Sequence, residues 1–251
     1  MGTDAIWLEL FPGTKDEAAD RTAIRAFQAQ IRAHGFANRY CLLYQARPSD
    51  MHELSEMETF GIGQRQLSER LAGPNTLLNL SYSIHPPLLL QFERRIFCDL
   101  DPSEIFYWMT KMEMGQSTHH EFCTIGLNAG APDCRLPKSS LKWRTFFPLV
   151  DTASIQPQPK PPRPTFTTIG QWYWGGGVEV DGEFPDLSKK FAFEPYLDLP
   201  RRVPEARFEL AMNLNADDSE IARLRKRAPA GKVASNPRGL HSPPSPLRRC
   251  C

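Results

Sequence analysis

Residues able to do chemistry crowd into the stretch from Ser81 to Gly130. They are a carboxylate in a strand-ending turn, Asp101; three histidines, His85, His119 and His120; a hydroxyl, Ser81; and the loop residues Gly126, Asn128 and Gly130. A carboxylate or imidazole beside an acceptor hydroxyl can take its proton as a general base, and a glycine-flanked backbone lets N–H donors approach sugar or phosphate oxygens. The same residues also fit a helix that starts after Asp101-Pro102 and an ordinary glycine turn.

Other chemistries find less support. His119, His120, Cys123 and Cys134, with Asp133 in reserve, would be a poor metal set, because adjacent histidines on a strand face opposite sides and no C-x-x-C or H-x-x-x-H pair is present. Gly175 to Gly177 lacks the order of a dinucleotide or phosphate loop, and no G-x-S-x-G nucleophile elbow occurs.

The elements that must position these residues alternate. Ala5–Leu10 (AIWLEL) reads as a strand. Asp20–His34 is a helix with Ile24, Phe27 and Ile31 on one face and Gly35 as its stop, and Tyr40–Tyr44 is the next strand. A loop over Arg47–Phe60 and a short helix over Gly63–Leu71 lead to Thr76–Leu80 (TLLNL), whose near-continuous apolar run predicts a strand buried on both faces. Arg95–Leu100 and Glu121–Ile125 are strands, with a helix over Ser103–Met114 between them. The predicted fold is therefore α/β, a doubly wound parallel sheet whose carboxyl-end loops carry the candidate residues.

Composition bounds the rest. Proline is high at 23 of 251 residues, and it clusters at Gln156–Pro164 and Pro229–Pro246, marking a linker and a tail. All 29 acidic residues precede Ile221, whereas 8 of the 30 basic residues follow it, so the body carries 22 − 29 = −7. A nucleic-acid-binding body would need the opposite balance. Six cysteines without a secreted-scaffold spacing read as free thiols in a reducing cytoplasm, and no apolar run is long enough for an integral membrane segment. After the linker, strands at Thr165–Trp172 and Arg207–Leu214 and helices at Lys189–Leu197 and Asp217–Arg227 form a second α/β set, and the pattern is lost after Ala234. The expected organisation is a first domain over 1–155, a linker over 156–164, a partial second domain over 165–234 and a disordered tail over 235–251.

The series LLNLS (Leu77–Ser81), RRIFCDLDPSEIFYW (Arg94–Trp108) and HHEFCTIGLNAGAPDCRLP (His119–Pro137), with Trp143 following, resembles bacterial glycosyltransferase-like proteins of the two-domain GT-B type, family 1-like. TFTTIGQW (Thr165–Trp172), VEVDGEF (Val178–Phe184) and LDLPRRVPEARFELAMNL (Leu197–Leu214) resemble the opening of their second domain. The resemblance runs from about Ile6 to Ala234. It implies two Rossmann-like halves, a nucleotide-sugar co-substrate with no other cofactor, and sugar transfer to an acceptor that the residues do not identify. Asp101, His119, Gly126, Asn128 and Gly130 match its series. Against that pattern the chain lacks the first β-α unit and stops some 70 residues into the second domain. Nucleotide-binding residues of that domain's second half would then be absent, impairing transfer or leaving a non-catalytic carbohydrate- or nucleotide-binding remnant. A partner or a second copy would cover the exposed faces.

Overall fold

The computed structural model describes residues 4–134, 136–148, 159–170, 172–173, 188–212, 219–227 and 232–235, with the single positions 150, 152, 155, 157, 182 and 214. The chain divides into two compact units, Met1–Leu149 and Val150–Cys251. The first division falls a few residues before the expected end of the first domain. Val178–Val180, Gly175–Gly177 and the tail after Ser235 lie outside the described residues.

The first unit opens with β1 (Trp7–Pro12), α1 (Glu17–Ala33) and β2 (Tyr40–Gln45), the expected β-α-β order. Asp16 starts α1 because its carboxylate accepts from the Ala19 N–H at 3.0 Å, one of the helix's otherwise unpaired donors. Ile24 on the apolar stripe then packs on Tyr40, Leu42 and Tyr44, the residues of β2 that face α1. β1 and β2 run parallel, with Leu8 opposite Cys41 and Leu10 opposite Leu43.

Two expectations change here. Within the segment read as a loop, Leu54–Glu56 forms a 3-10 turn and Glu58–Gly61 forms β3, antiparallel to β2. Four residues with one glycine and one glutamate carry too little alternation to announce a strand; pairing with β2 decides it. The strands also divide between separate sheets, β1-β2-β3 and, after α2 (Gln64–Leu71), β4 (Thr76–Leu80), β5 (Arg94–Asp99), β6 (Glu121–Thr124) and β7 (Trp143–Thr145) in that order.

All neighbours in the four-stranded sheet are parallel. Asn79, Phe97, Phe122 and Trp143 form one row across it, by register. α3 (Pro102–Lys111) covers this face, with Phe106 stacked on Trp143 at 4.6 Å between centroids. The opposite face is more open. β4 alternates exposed and buried, and Leu78 is 59% exposed, so β4 is buried on one face rather than two. Leu77 joins Leu8, Leu10, Cys41, Leu43 and residues of the connections in one core shared by both sheets.

The second unit is a smaller α/β body. β8 (Thr165–Gly170), β9 (Arg207–Met212) and β10 (Lys232–Ser235) form a parallel sheet with β9 central. Helices α4 (Lys189–Phe193), α5 (Leu199–Arg202) and α6 (Ser219–Arg227) accompany it. Its core is Trp172 with Leu197, Met212, Leu214, Ile221 and Leu224. The Trp172 indole donates to Glu220 at 3.1 Å, and Arg223 bridges Glu220 and Glu194.

Among the described residues no helix is long and apolar enough to cross a membrane. Cys41, Cys98, Cys123 and Cys134 are free thiols; burial pushes Cys41 up to about 12 and Cys98 to about 11, which keeps both protonated and unreactive at neutral pH.

Candidate functional site

Parallel strands put all their carboxyl ends on one edge, so the turns after β4, β5 and β6 are neighbours. The first holds Ser81, Tyr82 and His85, the second Asp101 and the third Gly126 to Gly130. Ser81, Asp101, Asn128 and Gly130 are exposed there, whereas Gly126 is buried.

A buried carboxylate braces two of these turns. Asp99, the last residue of β5, is fully buried; its Oδ2 accepts from Thr124 Oγ1 at 2.7 Å and its Oδ1 from the Asp101 N–H at 2.8 Å. Thr124 Oγ1 in turn accepts from the Gly126 N–H at 3.0 Å. Burial raises the Asp99 pKa, and the bonds from Thr124 and Asp101 oppose that rise. Gly126 is glycine for a steric reason, since a Cβ there would lie 2.9 Å from Pro102 Cβ. The turn after β6 thus rests directly on the first residue of α3. Beyond it, Ala129 N–H donates to Gly126 O and Ala131 N–H to Asn128 O, and Gly130 takes φ +83°, a conformation favouring glycine.

The turn after β4 is strained. Ser81 and Tyr82 have φ of 48° and 57°, and Ser83 N–H closes onto Leu80 O at 3.1 Å. Two consecutive non-glycine residues in the left-handed region cost about 1–3 kcal/mol each and persist only where the surroundings enforce them. The surroundings do so here. Tyr82 packs on His85 at 4.3 Å and against Phe97 and His119, while Ser81 N–H is taken by Cys98 O. His85 donates from Nε2 to Tyr82 O at 2.9 Å and stacks on His52, with centroids 4.7 Å apart. His52 is buried, accepts the His85 N–H at Nδ1 and has its pKa lowered to about 4, chiefly by burial.

His119 and His120 both precede β6, so their backbone stands at its amino end, separated from Gly126 by a strand whose four residues span about 13 Å; the His119 ring nevertheless reaches back beneath the sheet to Tyr82 of the turn after β4. His120 is exposed, and its Nδ1 accepts from the Arg95 N–H at 3.0 Å. His119 is buried against Phe97, with Nδ1 2.8 Å from Gly115 O and Nε2 3.1 Å from Asn79 Nδ2. Burial lowers its pKa, so it is a neutral imidazole with both nitrogens engaged.

Sequence reasoning missed Asp99, Thr124, Asn79, Tyr82 and His52. The signal for Asp99 and Asn79 was the same: a single polar residue inside an apolar strand, which must find partners once buried. No periodicity marks His52 or Tyr82. Among the described residues no group of three or more histidine, cysteine or acidic side chains converges as a metal site. A cavity of about 230 Å³ lies elsewhere, between Phe106 and Met109 of α3, Lys138 to Leu141 and Trp143.

What this edge can do is hold a polyhydroxylated or oxyanionic ligand through exposed turn donors and offer it the Asp101 carboxylate. No family model, curated protein or solved structure matches the chain.

Proposed function

We propose that the chain is glycosyltransferase-like and that the carboxyl edge of the four-stranded sheet receives the acceptor sugar. The observation that supports this reading is the Asp99–Thr124–Gly126 brace, which ties the Asp101 N–H to the end of β5 and Gly126, where the Asn128–Gly130 turn begins, to the end of β6. In the reaction, Asp101 takes the proton of an acceptor hydroxyl. That oxygen bonds to the anomeric carbon of a nucleotide-sugar, whose bond to the diphosphate breaks, and the nucleoside diphosphate leaves. Ser81 and Asn128 bind ligand hydroxyls. His119 and His120 take no part in proton transfer on this reading; His119 positions Asn79 and Tyr82 instead.

A second reading, binding without catalysis, is favoured by the engagement of His119, both of whose ring nitrogens are bonded, and of His85, whose Nε2 donates to Tyr82 O. Calorimetric titration with UDP-, GDP- and dTDP-sugars, alone and with simple glycoside acceptors, separates the two. Saturable binding weakened by Asn128→Ala, with nucleoside diphosphate release lost in Asp101→Asn, supports transfer. Binding without release under any condition supports the second reading. A folded chain that binds no sugar or nucleotide-sugar would sink both.

A further inference from the structure

The cavity beside α3 is separate from the turns at the carboxyl edge. Trp143 is the first residue of β7, and Met109 and Thr110 lie in the last turn of α3, so the cavity stands towards the amino edge of the sheet. Its volume is about 230 Å³. A cavity of about 150 Å³ already holds benzene, and drug-sized ligands take about 300 Å³ or more. One substituted ring is the scale of ligand that fits between these limits.

Burial falls across the cavity, from Phe106 at 5% exposure through half-buried Met109, Leu141 and Trp143 to exposed Lys138 and Ser139. Its inner part is aromatic, because Phe106 stacks on Trp143 with centroids 4.6 Å apart, and flat apolar walls of this kind take a ring. The polar groups left for a ligand are donors. Gln116 spends both amide hydrogens on the Met109 and Met112 carbonyls, each at 3.0 Å, so those acceptors at the end of α3 are taken. Ser139 Oγ accepts the Leu141 N–H at 3.1 Å and keeps its own hydrogen to give. No acidic residue lines the cavity, and among the described residues no carboxylate pairs with Lys138.

Trp143 adds a further donor. Its indole Nε1 is buried without a partner, the one such side-chain atom among the described residues. A buried donor ordinarily finds an acceptor. Here the described residues supply none, and the cavity that Trp143 lines is the adjoining space from which one can come.

We propose that this cavity binds a hydroxylated single-ring aromatic carboxylate. The ring packs beside Phe106, Met109 and Trp143, the ring oxygen accepts the Trp143 N–H, and the carboxylate meets Lys138 and the Ser139 hydroxyl at the mouth. A ring without that oxygen leaves the indole donor unpaired, and a neutral ring leaves Lys138 without a counter-charge. The site is independent of the glycosyl-transfer reading.

The test is calorimetric titration of the full chain with para-hydroxyphenylacetate, phenylacetate and the alcohol para-hydroxyphenylethanol, with thermal melts of every variant. Expected is saturable one-to-one binding of para-hydroxyphenylacetate, about tenfold tighter than either of the other two. Lys138→Met, at an exposed position, removes the advantage over the alcohol and leaves the melt unchanged. Trp143→Phe keeps a ring in the stack and removes the advantage over phenylacetate. Both probes are compared on the same variant below its Tm, so a lower melt does not mask that result. Absence of saturable binding by the folded parent chain overturns the proposal, as do equal affinities for the three probes or an unchanged preference for the carboxylate in Lys138→Met. Sugar titrations run on the same samples report on the proposed function separately.

Discussion

His119 and Asn79, forty residues apart, meet at 3.1 Å between Nε2 and Nδ2. Gly115 O, 2.8 Å from Nδ1, can only accept, so Nδ1 carries the hydrogen and the Nε2 lone pair accepts from the Asn79 amide. Asn79 spends its other groups on Ile84, donating to its carbonyl at 2.8 Å and accepting its N–H at 3.0 Å. The pair therefore ties β4, the turn after it and the approach to β6 together. Replacing Asn79 with Leu keeps the volume but strands His119 Nε2 and both Ile84 groups. A loss of about 2–4 kcal/mol in urea unfolding is expected, and an unchanged midpoint would show that water or rearrangement replaces these bonds.

Gly126→Ala should destabilise by about 1–3 kcal/mol, because the added methyl meets Pro102 at 2.9 Å and neither strand end can yield freely. Gly73→Ala is the matched control, its nearest neighbour lying at 3.9 Å. Thermal melts of the two variants should diverge clearly, and equal melts would mean that the turn after β6 is not seated on α3.

The strained turn predicts a gain. Ser81→Gly removes the side chain from a φ of 48° and should raise stability by about 1 kcal/mol. If the strain serves ligand binding, the same variant binds sugar more weakly despite its higher Tm. A variant that melts lower shows instead that the Ser81 side chain, not its backbone, holds the turn.

Acid should unfold this unit through its neutral histidines. His52, held at about 4, and His119, lowered by burial, both bind fewer protons folded than unfolded between the ordinary histidine range and their depressed values. Stability is therefore full above about pH 6.5 and falls as pH drops towards 4. His52→Gln should flatten part of that slope in melts across this window. A slope identical to the parent chain's would place the pH dependence elsewhere.

Much of the fold was legible from local pattern. The Ile24-Phe27-Ile31 stripe announces α1, and Asp101-Pro102 marks the start of α3, because 3.6-residue periodicity and helix-start signals are properties of short windows; the Asp16 cap, which starts α1 at Glu17 rather than at the expected Asp20, was not read from the sequence. The apolar runs Thr76–Leu80, Arg95–Leu100 and Glu121–Ile125 likewise announce strands, which end in the structure at Leu80, Asp99 and Thr124, and with them the Ser81, Asp101 and Gly126 turns on one edge of a parallel sheet. Tertiary structure decided the rest. That Asp99 rather than Asp101 is the buried brace follows from its register opposite Thr124, and register is set by pairing across the sheet rather than by the order of residues. That His119 and His120 stand at the amino end of β6 follows from their place before the Glu121–Ile125 run once the sheet is parallel, whereas the contact of the His119 ring with Tyr82 and Asn79 is a matter of packing between distant segments. The division of the first unit's described strands into two sheets, β1-β2-β3 and β4-β5-β6-β7, depends on which strands hydrogen-bond, an interaction between segments that no single window of sequence contains.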